Sequence, residues 1–223
     1  MQVKFLNLVN LFIKYFPTYL SAFGVTLRVT AISLLISTVI GIICGLFKLS
    51  GIKPLKAIAD IYISIIRGTP LMVQILFIYL GIPAILGFRW KLMVACIVIM
   101  SINAGAYMAE LIRGGIEAVD KGQTEASRSL GLSYGQTMRK VVLPQAMRIM
   151  LPSIINQFIV TLKDTSLLSV IALREITQNT KIIVANNMET FCMYFICGVW
   201  YWVIVTILSK VAIQVEKRTK YGK

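Results

Sequence analysis

Histidine is absent from this 223-residue chain, and acidic residues are few, nine against twenty-three lysines and arginines. Without histidine there is no HExxH zinc helix, no serine–histidine pair and no Cys–His metal site. The four cysteines, Cys44, Cys96, Cys192 and Cys197, all lie in apolar runs without CxxC spacing and read as small core residues. A phosphate-cradling G-x-x-x-x-G-K-[ST] loop is also missing, so the chain has no means of its own to hydrolyse ATP. There is no internal repeat and no low-complexity segment.

Charge of either sign is sparse, at 14% of residues, while hydrophobic residues make up 57% and the mean hydropathy is +0.80. Soluble domains carry about 45–50% apolar residues, so the solvent of this chain is the bilayer. Val29 to Phe47 holds no charge at all, and about 20 such residues cross the hydrocarbon. Four more apolar stretches follow: Ile58 to Leu86, Leu92 to Ile112, Ile149 to Leu173 and Thr190 to Ile213. The expected fold class is all-α, a polytopic membrane protein of five transmembrane helices in a single domain over 1–223. Lys4, Asn7, Asn10 and Lys14 interleave with Phe5, Leu8, Val9 and Phe12, with no cleavage-like site after them. That pattern predicts an interfacial amphipathic helix over 1–17, ending near Pro17, rather than a signal peptide.

A net charge of +14 would suggest nucleic acid in a soluble protein; here the placement of the charges gives it a different meaning. One face receives Lys48, Lys53, Lys56, Arg113, Lys121, Arg128, Arg139, Lys140, Arg148, Lys210, Lys217, Arg218, Lys220 and Lys223. The other receives only Lys4, Lys14, Arg89, Lys91, Arg174 and Lys181, with Arg28, Arg67 and Lys163 within or beside spans. The richer face is expected to be cytoplasmic, which puts the N-terminus outside and the C-terminus inside. The implied partner of the surface is a lipid bilayer, with no nucleic acid.

Two connections are long, 113–148 on the cytoplasmic side and the segment from Arg174 to Glu189 on the other. The first has strong local grammar. Asp120 with Gln123, and Ser133 with Gln136, have the spacing of capping boxes, and Gly131 stands where a left-handed helix terminus belongs. The segment predicts a helix–turn–helix elbow beneath the membrane. Within the spans, Gly68-Thr69-Pro70, Gly81-Ile-Pro83 and Pro152 are helix-interrupting positions, tolerated where backbone faces protein or a cavity.

The elbow reads Glu125, Ala126, Ser127, three residues, Gly131, nine residues, Val141, one residue, Leu143-Pro144. It resembles the EAA signature of the membrane subunit of bacterial ABC importers, with Ser127 and Val141 as mild departures. Tyr62 to Leu71, Asp120-Lys-Gly-Gln123 and Leu162 to Leu167 extend the resemblance to the polar amino acid subfamily of short five-span permeases. The resemblance implies a type I importer permease fold in the bacterial cytoplasmic membrane. It implies that the elbow docks on a cytosolic ATPase, in which case Glu125, Ala126, Ser127, Gly131, Leu143 and Pro144 carry the coupling. Two ATPase copies, which would bind the ATP and Mg, a second permease subunit, identical or a paralogue, and an extracytoplasmic amino acid binding protein are the implied partners. The chain itself needs no cofactor.

Polar side chains inside spans are costly and therefore candidates for function. Gln157, Thr161 and Asp164 form one helical stripe, Asn156 and Lys163 an adjacent one, and Asn103, Tyr107 and Glu110 a third on another span. Facing stripes could line a path for a zwitterion, or the groups could only satisfy one another between helices. Lys163 and Asp164 could instead form structural ion pairs with Arg67 or another span, and Glu110 has Arg113 within one turn. Arg67, Gly68, Thr69 and Pro70 are a gate or dimer-facing element by resemblance, or a packing kink with a snorkelling arginine. An uncharged Gln157 favours a neutral polar substrate such as cystine or glutamine over arginine, histidine or lysine. A passive channel would need no cytosolic elbow, and an intramembrane enzyme would need a nucleophile with a base, or metal ligands.

Overall fold

The computed structural model describes the backbone of residues 2–221 and the side chains of residues 7–214. The expected alternation at Lys4 and Phe5, and the basic residues Lys217, Arg218, Lys220 and Lys223, lie outside the described side chains. No strand occurs among the described residues. The first helix, α1 (Gln2–Leu49), does not end near Pro17 but runs through it as one helix. A proline removes one backbone bond, and the helix accommodates that loss at Pro17 without a break. Tyr19 and Ala22 are buried in one cluster with Ile176, Ile183, Met193 and Ile196 from the end of the chain, and the Tyr19 hydroxyl lies 2.9 Å from that of Thr180. The long α1 is studded with hydroxyls that bond their own helix. Thr26, Thr30 and Thr38 each donate to the carbonyl four residues back, so their burial leaves no orphan.

The expected span Ile58 to Leu86 is not a straight helix. It consists of α2 (Lys53–Gly68) and α3 (Leu71–Leu86), bent by 107° at Thr69-Pro70. Pro70 disfavours helical backbone in the residue before it, and Thr69 is extended, with φ −121° and ψ 145°. A π turn over Phe77–Gly81 leads α3 through Gly81 and Pro83 without a stop. The apolar helices that could cross a membrane thus number four, or five when the bent pair counts as one span.

The central helix is α4 (Leu92–Glu117), with Ala95, Cys96, Ile99, Met100, Ala104, Ala106, Met108, Ala109 and Ile112 all buried. It packs against α1 closely enough that a Cβ on Gly41 would fall 2.5 Å from the Met108 Cβ. Small residues at the crossing are how two membrane helices gain contact area without a hydrophobic drive between them. The elbow consists of α5 (Lys121–Ser129) and the start of α6 (Tyr134–Ile171). Helix α6 passes both Pro144 and Pro152 unbroken. A π turn over Met138–Val142 precedes Pro144 and absorbs its missing N–H bond. Beyond Asp164, α6 tightens into a 3-10 turn over Thr165–Ile171. Ala172 follows in the left-handed region, and α7 (Ile176–Asn187) and α8 (Thr190–Tyr221) complete the chain.

Candidate functional site

The elbow is built by caps at each of its turns. Asp120 caps α5 alone, its Oδ1 accepting the Gly122 N–H at 2.7 Å, without the reciprocal bond expected from Gln123. Ser133 and Gln136 do form the full reciprocal box at the start of α6. Between them Gly131 has φ +84°, and the N–H groups of Gly131 and Leu132 reach back to the carbonyls of Arg128 (3.0 Å) and Ser127 (3.2 Å). That is the Schellman pattern, and it sets the direction in which the chain leaves α5.

The elbow is tied to the spans by a patch of Ile112, Val119, Val142, Ala146 and Met150, with Ile116 and Met138 packed beside it. Glu125, Ala126, Gly131, Leu143 and Pro144 are exposed. Ser127 instead turns inward, only 6% exposed, its hydroxyl donating to the Gln123 carbonyl at 2.6 Å. Leu130 (82% exposed) and Tyr134 (63% exposed) form an apolar knob at the turn, flanking Gly131. Sequence reasoning passed over both, although a leucine beside a helix-terminating glycine in a charged loop is the available signal.

On the span side, the three stripes do not simply face one another. Asn103 turns toward the α2–α3 corner, where its Nδ2 donates to Gln74 Oε1 at 2.9 Å. The Gln74 Nε2 in turn donates to the Ile66 carbonyl (2.7 Å), the Thr69 carbonyl (3.1 Å) and Thr69 Oγ1 (2.9 Å). Two buried amides thus stitch the freed carbonyls of the bend to the central helix, and Gln74 was readable only as an amide in an apolar run. We expect Gln74→Leu to destabilise the detergent-solubilised chain by about 1–3 kcal/mol, because it orphans buried acceptors. A double-mutant cycle with Asn103→Leu should show a coupling of about 1 kcal/mol in thermal unfolding. A coupling of zero would mean that the amides act independently.

Tyr107 is partly exposed, with the Arg67 guanidinium 5.5 Å from its ring centroid. Glu110 is the hub of a charge cluster joining three helices. It accepts from Arg113 at 2.8 Å and Lys48 at 2.7 Å, with Arg67 at 3.8 Å, while Lys48 also meets Asp60 at 3.0 Å and Arg113 meets Glu117. Arg67 is thereby engaged, and neither Lys163 nor Asp164 forms an ion pair among the described residues, contrary to the structural pairing considered for them. The reason is distance along the spans: Arg67 stands at the elbow end of the molecule, Lys163 and Asp164 where α6 tightens at the other. Gln157 and Thr161 are buried and bond each other at 3.3 Å on one helix. Ser153, Asn156 and Lys163 are exposed along an adjacent face of α6. A membrane helix with polar groups on an open face must turn that face to water or to protein.

The family model for the binding-protein-dependent transport system inner membrane component matches residues 37–221. The chain is 36% identical over 208 residues to the arginine transport system permease protein ArtQ of Bacillus subtilis, covering 93% of this chain and 95% of that one. It is 37% identical over 205 residues to the glutamine transport system permease protein GlnP of Escherichia coli K12, covering 92% and 94%. Among solved structures, a crystal structure of an amino acid ABC transporter with histidines superposes with a TM-score of 0.89 at 40% identity, covering 92% and 96%. The inward-facing MetNI methionine ABC transporter shares the fold, with a TM-score of 0.79 at 18% identity over 92% and 98%.

Proposed function

The chain belongs to the family of binding-protein-dependent transport system inner membrane components, and from that premise we propose that it is the permease subunit of an ATP-driven amino acid importer. The observation that carries the reading is the elbow, whose fixed turn at Gly131 presents Leu130, Tyr134 and Glu125 outward while its back is packed onto the central and sixth helices. In this reading the knob enters a groove on a cytosolic ATPase, and Glu125, on an outward turn of α5, meets a basic group there. Two such ATPase subunits bind the ATP and Mg, and their movement is passed through the patch around Ile112 and Val142 to α4 and α6. The elbow side is cytoplasmic by the positive-inside rule.

The open polar face of α6, with Asn156 and Lys163, lies against a second permease subunit, a copy of this chain or a paralogue. The path runs between them and past Gln157, Thr161 and Asp164. The corner Arg67-Gly68-Thr69-Pro70, held by Gln74, is the element that moves with the elbow end. An extracytoplasmic binding protein delivers the amino acid, and no bond is made or broken in this chain.

A neutral polar substrate such as glutamine or cystine fits the uncharged, buried Gln157. One observation favours a basic amino acid instead: Asp164, half-buried on the same stripe, forms no salt bridge among the described residues. The test is ATP hydrolysis by the reconstituted complex, titrated with binding protein loaded with cystine, glutamine, arginine or histidine. Stimulation by the glutamine- or cystine-loaded form alone is expected; stimulation by arginine alone reverses the assignment. No stimulation by any loaded form, even with a co-purified paralogue, would remove the importer reading, and amino acid flux without ATP would replace it with a channel.

A further inference from the structure

Beside the knob of the elbow, the end of α4, the first turn of α5 and the start of α6 leave a pocket of about 500 Å³. That volume lies within the range of small-molecule sites, about 300–1,000 Å³. Ile116, Val119, Met138 and Val142 give it an apolar wall, and Tyr134 of the knob stands at its edge. Thr137 also lines it and is only 1% exposed, yet its hydroxyl has no hydrogen-bond partner among the described residues. The threonines of α1 avoid that state by donating to the carbonyl four residues back. A buried hydroxyl without a partner costs stability, and this one faces a space large enough for a group from outside the chain to complete it.

Two groups of opposite charge border the same space. The Lys121 ammonium forms no salt bridge among the described residues. Glu117 gives Oε2 to Arg113 and keeps Oε1 as an acceptor. The other charges nearby are spent or placed elsewhere: Asp120 Oδ1 accepts the Gly122 N–H, Arg128 donates to the Leu132 carbonyl at 3.1 Å, and Arg139 and Lys140 do not line the pocket. Thr124 adds a second hydroxyl. A cation, a carboxylate oxygen and two hydroxyls around an apolar wall are the complement of a free amino acid. Resting on the reading of this chain as an amino acid permease with its elbow in the cytoplasm, we propose that the pocket binds the imported amino acid from the cytosol and slows further transport. Lys121 takes the α-carboxylate, Glu117 Oε1 accepts from the ammonium group, and the Thr137 and Thr124 hydroxyls bond the remaining polar atoms. The pocket draws its walls from α4, α5 and α6, so a bound ligand ties the elbow to the two helices it drives. It binds the arrangement in which the pocket is open and draws the population toward it, at the expense of any arrangement in which the elbow has moved against α4.

The experiment uses the complete importer in inside-out proteoliposomes, with loaded binding protein enclosed and ATP outside. Glutamine or arginine, each as the free acid and as its α-carboxamide, is added outside while ATP hydrolysis is measured. The amino acid whose loaded binding protein stimulates hydrolysis is expected to inhibit it from outside, and its carboxamide to inhibit about tenfold less well, the weight of one charge-assisted bond. Thr137→Val should raise the half-inhibiting concentration by about fivefold and Lys121→Gln by about tenfold, each curve taken relative to that variant's own uninhibited rate. Thermal unfolding separates a ligand contact from a structural one. Thr137→Val removes an unpaired hydroxyl at nearly constant shape, so the midpoint without ligand should not fall, while the rise in midpoint caused by added amino acid should shrink. No inhibition, or equal inhibition by acid and carboxamide, overturns the proposal. Inhibition unchanged in both variants also overturns it, by placing the product in the path through the spans. A Thr124→Cys cysteine shielded from a thiol reagent by the ATPase alone, with amino acid adding nothing, assigns the pocket to a side chain of that subunit and overturns it too. Cys96, Cys192 and Cys197 are buried and Cys44 half-buried, so the unsubstituted chain serves as background for that measurement. Stimulation by loaded binding protein without inhibition removes only the cytosolic site, whereas no stimulation by any loaded form removes the importer reading with it.

Discussion

Replacing Gly131 by aspartate should leave a folded, membrane-inserted chain that no longer transports. The glycine sits at φ +84°, a backbone region that a residue with a side chain enters at a cost of about 1–2 kcal/mol. No atom lies within 4 Å of where a Cβ would be, so strain, rather than a clash, is the whole internal penalty. It is small beside a typical domain stability of about 5–15 kcal/mol. The same strain is decisive locally. The chain relieves it by leaving the left-handed region, which breaks the bonds from Gly131 and Leu132 back to Arg128 and Ser127 and re-aims Leu130 and Tyr134. A misplaced knob that forfeits about 1.4 kcal/mol of contact loses a factor of ten in docking, so uptake should fall by about tenfold or more while expression and thermal midpoint change little. Gly131→Ala, with the same strain but no charge, should fall between. The measurements are uptake and stimulated ATP hydrolysis in proteoliposomes, and wild-type uptake by Gly131→Asp would end the coupling role of this turn.

The largest loss of stability is expected at Glu175. Its side chain has no exposed surface, yet it caps α7, Oε1 accepting from the Gln178 N–H at 2.7 Å and Oε2 from the Thr177 N–H at 2.8 Å and the Tyr201 hydroxyl at 2.9 Å. Glu175→Ala leaves these donors buried without an acceptor. At about 1–3 kcal/mol for an orphaned group, with a lost cap at about 0.5–2 kcal/mol, the total is about 3–5 kcal/mol. It should appear as a lowered thermal midpoint and as faster hydrogen exchange confined to α7 and the facing turn of α8. Glu175→Gln keeps one acceptor oxygen and should lose less.

Burial pushes the Glu175 carboxyl above its ordinary value of 4.5, although the donors from Thr177, Gln178 and Tyr201 work against that rise. A carboxyl whose folded pKa is raised binds its proton more tightly in the folded state, so stability should increase as pH falls from neutral through the raised value. The gain is complete once the pH is below the ordinary value. The slope should vanish in Glu175→Gln, and a wild-type midpoint that falls over this interval would show that the donors outweigh the burial. The side chains whose hydrogen bonds reach the carboxyl are those of Thr177 and Tyr201.

What was legible in the sequence had a local cause. The uncharged run from Val29 to Phe47 announces a membrane helix because hydrocarbon excludes charge wherever the neighbours are. The Ser133–Gln136 box and the left-handed turn at Gly131 involve bonds that close within six residues, so spacing alone predicts them. The exposed Glu125 and Ala126 follow from that turn. Prolines mark the limit of such reasoning. Pro17, Pro144 and Pro152 lie within continuous helices, whereas Pro70 turns the chain by 107°. The difference at Pro70 is an extended Thr69 and a buried Gln74 that takes up the carbonyls the bend releases.

The remaining features were decided by which helices lie side by side. Asn103 donates to Gln74 at the α2–α3 corner, a partner that its own helical stripe does not name. Glu110 was expected to pair with Arg113, and it does, but it also draws in Lys48 and Arg67 from two other helices. Glu175 meets Tyr201, and Tyr19 meets Thr180, across sequence separations that no periodicity reports. The sequence by itself determined the membrane class, the position of the elbow and its turn, because each depends on a residue and its neighbours within one or two helical turns. Only the tertiary structure decided which polar groups are used up in holding helices together and which stay open at a surface, because a buried polar group must find a partner and that partner comes from another helix.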